Sequence, residues 1–128
     1  MTTLHAHFTV NGWDERTIEG LEGGWMGAVE MRKEFTKGLV GTSVGLFASS
    51  GETEGQRSYL AAERITATTE DGRSGSVTVH HGGLESSPEA WFGHVVPGSG
   101  TDDFAAWSGT ARIEHDDDGG PYFVFELD

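Results

Sequence analysis

The chain has 128 residues, among them 20 glycines, 3 prolines and no cysteine, and a formal charge of −13 from 8 basic and 21 acidic residues. That length makes one domain, residues 1–128, able to bury a single core without disulfides or a structural metal. The missing cysteines exclude thiolate catalysis, iron–sulfur clusters and cysteine-ligated zinc.

The charge is uneven. Residues 1–73 carry 11 acids and 7 bases, whereas residues 74–128 carry 10 acids against Arg112 alone. Phosphate backbones are repelled and no basic stripe exists to offset this, so nucleic acid is excluded as a partner. No run of about 18 apolar residues marks a membrane span. The opening residues lack the basic and then apolar pattern of a secretory leader, so the expected location is the cytoplasm.

Runs with two-residue alternation, rich in Val, Thr, Phe and Tyr, predict eight strands. In chain order they cover Leu4–Trp13, Trp25–Thr36, Leu39–Ser49, Arg57–Thr68, Ser74–Gly82, Ala90–Val96, Ser108–His115 and Tyr122–Leu127. Between them, Lys37-Gly38, Glu70-Asp71-Gly72 and Asp117-Asp118-Gly119-Gly120 supply residues that tolerate positive φ, and each reads as a hairpin turn. Pro97 ends the sixth run, because proline removes a ladder donor and restricts the residue before it. Residues 101–107 then read as one short helical turn, with Asp102 and Asp103 at its positive end and Phe104 and Trp107 on one side.

Sequential antiparallel strands of this length remove their exposed edges by closing on themselves. The fold class is therefore all-β: a closed eight-stranded antiparallel up-and-down barrel of the lipocalin-like kind, with a two-sheet sandwich as the structural alternative.

Four stretches carry a family resemblance: GRSGSVTVHHGG from Gly72, VVPGSGTDDFAAWSGTARIE from Val95, the AERITAT run around Glu63, and the closing PYFVFELD. Together they resemble the bacterial domain-of-unknown-function family 3224 over nearly the whole chain. The resemblance implies a compact eight-stranded barrel grouped with allene oxide cyclase-like barrels, an architecture shared with dirigent proteins and polyketide-shaping cyclases. It carries no catalytic residue over. It also leads one to expect glycine where this chain has Ala61 and Ala67, a change that narrows the lumen.

The residues themselves suggest what that lumen holds. Alternation along the fourth run puts Tyr59, Ala61, Glu63 and Ile65 inward, and along the fifth Val77, Val79 and His81. A hairpin turning near Asp71-Gly72 sets Glu63 opposite Val79 or His81, within reach of the imidazole. Burial among apolar neighbours is expected to raise the Glu63 pKa, which makes Glu63 with His81 the candidate catalytic pair for moving a proton without a cofactor. The competing reading is a polar plug that fixes strand register.

Tyr59, Ile65, Trp25, Trp91, Phe92 and His94 are the candidate ligand-binding residues, on the premise that their rings line the lumen or its entrance. No metal site is expected, because the spacing of His5 and His7 from the next acids does not match the histidine and glutamate pattern of a cupin. GTSVG at 41–45 lacks the strand-to-helix turn of a nucleophile elbow, which leaves Ser43 an ordinary strand residue. Asp116-Asp117-Asp118 reads as a solvated turn.

Two functions follow from these residues. In the first, the barrel binds a small hydrophobic molecule and acts as an isomerase or cyclase through its lumenal carboxylate. In the second it is a non-catalytic ligand-binding or structural barrel, working through its surface or as a homodimer. Lumen volume separates them, since a void near ~300 Å³ with a few polar groups favours ligand chemistry.

Overall fold

The computed structural model describes residues 2–21 and 25–128. It is a closed barrel in which each strand pairs antiparallel with its neighbours in sequence and the last pairs with the first. The strands are β1 (Thr2–Arg16), β2 (Met26–Lys37), β3 (Leu39–Ser50), β4 (Ser58–Thr69), β5 (Ser74–Leu84), β6 (Ser87–Val95), β7 (Gly109–His115) and β8 (Pro121–Leu127). A 3₁₀ turn, η1 (Asp102–Phe104), lies between β6 and β7.

The turns form where positive φ is available: Gly38, Gly72 and Gly119 take φ of 84°, 87° and 82°. Asp116 Oδ1 accepts from the amides of Asp118 and Gly120, so that carboxylate organises the β7–β8 turn. β1 runs longer than its alternation suggests and carries two register shifts, between His7 and Phe8 and between Val10 and Gly12. Bulges of this kind bend a long strand around a small barrel.

Inward residues fill the tube. Phe8, Phe35, Phe123 and Phe125 interlock with ring centroids 5.4–6.2 Å apart. Leu39, Ile65, Val77, Val79 and Val95 complete the layer. One end is closed by η1, where Phe104 stacks on Trp107 at 4.0 Å and Trp107 meets Phe125 edge-on. Three hydrogen bonds pin this plug to β5: Ser74 N–H to Asp103, Ser76 N–H to the Thr101 hydroxyl, and Thr101 N–H to the Ser76 carbonyl. Gly75 leaves the room it needs, since a Cβ there would lie 3.0 Å from the Phe104 ring.

Of the candidate ligand-binding residues, the structure places two on the outer wall. Phe92 and His94 alternate with the buried Gly93 and Val95 and face outward on β6. Trp25 precedes β2 at the opposite end, 67% exposed. The β6 alternation was legible, but its phase was not, because both faces of that short strand carry rings. Among the described residues no helix is long and apolar enough to cross a membrane.

Candidate functional site

Inside the barrel four strands converge on one carboxylate. Lys33 on β2 pairs with Ser43 on β3, and Glu63 on β4 lies between Gly45 of β3 and Val79 of β5. All take inward positions, so their side chains meet at the axis. Gly45 makes the approach feasible, because a Cβ there would stand 2.6 Å from the Glu63 Cβ.

Glu63 is 5% exposed. Its Oε2 accepts from Lys33 Nζ at 2.8 Å and from His81 Nε2 at 2.7 Å, and its Oε1 accepts from the Ser43 hydroxyl at 2.9 Å. The pairing of Glu63 with His81 expected from the β4–β5 register is present. Because a carboxylate only accepts, Nε2 of His81 carries a proton, and in the neutral imidazole Nδ1 accepts from the Tyr59 hydroxyl at 2.9 Å. The Lys33 ammonium also lies over the rings of Phe8 and Phe123, at 4.2 and 4.8 Å. Among the described residues no buried side-chain nitrogen or oxygen lacks a partner.

These contacts overturn the expectation of a raised Glu63 pKa. Burial by itself pushes the carboxyl up, but the His81 hydrogen bond and the Lys33 charge outweigh it and lower the pKa to about 2. Lys33 moves down as well, because burial outweighs its attraction to Glu63. Burial and the nearby Glu63 charge push the Tyr59 phenol up to about 12. Glu63 is thus a fixed anion that accepts three hydrogen bonds, and a carboxylate held so low is a weak proton acceptor at neutral pH.

Sequence reasoning missed Lys33, and Ser43 was read as ordinary. The signal for Lys33 was present: alternation through Val29, Met31 and Phe35 puts it on the inward face of β2. A buried lysine is so rarely placed without a partner that Glu63 should have been sought for it.

The lumen is filled. The void beside Glu63, lined by Lys33, Ser43, Phe47 and Ala61, is about 10 Å³, at the lower limit for a single water. Ile65 is fully buried in the core beneath it. Toward the open end, rings run from Trp13 to Phe47 at 5.4 Å, to Tyr59 at 5.1 Å and to Trp91 at 6.0 Å. Trp91 is half-buried and donates its indole N–H to the Leu84 carbonyl. At that mouth, between the ends of β1, β2 and β3, lies a concavity of about 400 Å³, lined by Trp13, Ile18, Leu21, Met26 and Val29 with Glu15 and Arg16.

Four of the histidines outside the lumen form two groups. His5 and His7 lie against Tyr122, with centroids 5.3 and 4.9 Å away. His80 and His94 pair across β5 and β6, with Nε2 and Nδ1 3.2 Å apart.

Residues 4–127 match the model of a family described as protein of unknown function, DUF3224. A crystal structure of a protein with unknown function from that family, from Shewanella oneidensis MR-1, superposes with a TM-score of 0.85 at 24% identity, covering 100% of this chain and 96% of that one. No curated protein matches the chain. With a match over nearly its full length, the chain belongs to the DUF3224 family.

Proposed function

We propose that the protein is a small-molecule-binding barrel whose ligand, an apolar compound, docks at the mouth rather than in the lumen. The observation that carries this reading is the concavity of about 400 Å³ at the end opposite the Phe104 plug. Its volume falls in the range of small-ligand sites, and Trp13, Ile18, Leu21, Met26 and Val29 give an apolar side to a lining that is about half polar through Glu15, Arg16, Thr17 and Ser49. The lumen supports only the plug reading, because its void is too small for any organic ligand.

An isomerase or cyclase using Glu63 as its base has less support, since that carboxylate is ionised and already accepts three hydrogen bonds. Any proton handled for a bound molecule would pass through Tyr59 and His81, the part of the network nearest the mouth aromatics.

Titration with N-phenyl-1-naphthylamine, a neutral apolar probe, tests the reading. Saturable probe emission with quenching of tryptophan fluorescence is expected, weakened about tenfold by Ile18→Asp. Leu60→Glu, on the outer wall of β4, should leave probe binding unchanged. Probe emission that never saturates, or that is indifferent to Ile18→Asp, overturns the proposal.

A further inference from the structure

The charge of this barrel is distributed by strand. β3 and β5 contain no Asp, Glu, Lys or Arg at all. β4 contains Glu63, buried at the axis, and Arg64, whose guanidinium is tied to the Thr78 hydroxyl and the Ser99 carbonyl. β6 contains only Glu89. Four consecutive strands thus hold two of the 21 acidic residues, and one of those two faces inward.

The outward side chains of this wall are apolar in its upper half. Register places Leu46 beside Ala62, His80 and His94 in one row, and Ala48 beside Leu60, Gly82 and Phe92 in the next. Leu46 is 70% exposed, Leu60 61% and Phe92 36%. Below them the wall is mixed: Val44 lies beside Arg64, Val40 is exposed, Thr66 pairs with Ser76 and Thr68 with Ser74 through their hydroxyls, and Asp102 and Asp103 border the lower end. The outer faces of β1, β2, β7 and β8 instead carry Asp14, Glu30, Glu34, Glu114 and Glu126.

We propose that the outer wall of β3–β6, centred on Leu46, Leu60 and Phe92, is the face through which two copies of this chain form a dimer. Charge selects the occupant. Bodies of formal charge −13 repel each other through every acidic face, and this wall is where two copies can approach without opposing carboxylates. A basic partner would be drawn to the acidic faces and would gain nothing here. Contiguous exposed apolar side chains on an otherwise charged protein mark an association site, and a two-fold dimer uses one such patch twice.

Sedimentation equilibrium of the full chain between about 5 and 500 µM is the test. A monomer–dimer equilibrium is expected, tightening as NaCl is raised because salt screens the repulsion between the acidic bodies. Leu46→Glu and Leu60→Glu should each weaken dimerisation at least about tenfold, with far-UV circular dichroism unchanged because both positions are exposed. Val10→Glu, on β1, should leave it intact. Since the chain has no cysteine, Leu60→Cys adds an independent readout: its reaction with a maleimide should slow as protein concentration rises. A wild type that stays monomeric at 500 µM, or a dimer that survives both glutamate substitutions, overturns the proposal. So does dissociation by added salt, which would indicate opposite charges in contact.

Discussion

Glu63 shows how much a single side chain depends on its partners. Its three donors come from three other strands, so removing the anion strands the cation that faces it. Glu63→Gln should destabilise the fold by about 3–5 kcal/mol in urea, the usual cost of breaking a buried pair. Adding Lys33→Met to it should recover a good part of that loss, because the unpaired ammonium goes too. A double variant no more stable than the single one would show that Lys33 is not what Glu63 compensates. The carboxyl also sets an acid limit. Its folded pKa lies near 2 against an ordinary 4.5, so its stabilisation is complete above about pH 4.5 and drains as pH falls toward 2. That amounts to roughly 3 kcal/mol. Stability curves of wild type and Glu63→Gln should therefore converge on acidification, and parallel curves would contradict the lowered pKa. The facing of Glu63 and His81 was legible from alternation and hairpin register. The sign of the pKa shift was not, because it depends on Lys33 and Ser43, which arrive from β2 and β3.

Strands announce themselves through alternation, and every expected run became a strand with ends displaced by at most a few residues. The largest displacements are at the start of β6 and the end of β1, and the two bulges of β1 break the period that alternation relies on. How strands seat against each other rests on small residues. β6 meets β7 at a single paired position, His94 with Thr110, and the seam stays close because Gly93 has no side chain. A Cβ on Gly93 would come within 1.7 Å of the Ala111 carbonyl oxygen. Gly93→Ala should open this seam and cost about 3 kcal/mol or more, beyond the usual overpacking penalty, because the obstacle is backbone. Native-state hydrogen exchange would then quicken in β6 and β7 before the other strands; uniform exchange would count against a local seam. At the closed end, Phe104→Ala removes a fully buried ring and should cost about 3–5 kcal/mol in thermal or chemical unfolding.

Closure joins residues at opposite ends of the chain, β1 through Thr2–His7 to β8 through Tyr122–Leu127. A barrel dominated by such distant pairings is expected to fold in milliseconds to seconds, measurable by stopped-flow tryptophan fluorescence. The same compaction gathers a charge of −13, so raising NaCl from about 10 to 500 mM should increase the melting temperature by a few degrees as self-repulsion is screened. A melting temperature that falls would show that local ion pairs such as Arg16 with Glu30 outweigh the repulsion. Period, turn chemistry and edge avoidance were enough to reach a closed eight-stranded barrel, because each is written locally in a few neighbouring residues. Whether the tube was hollow could not be read that way. Filling depends on how side chains from eight strands interdigitate at one axis: Phe8, Phe35, Phe123 and Phe125 occupy the core, and the void beside Glu63, bounded by Lys33, Ser43, Phe47 and Ala61, is about 10 Å³. The outward turn of Phe92 and His94 and the inward turn of Lys33 were decided by the same contest for space. A side chain's face is set by its neighbours across the sheet, and these are far away in sequence.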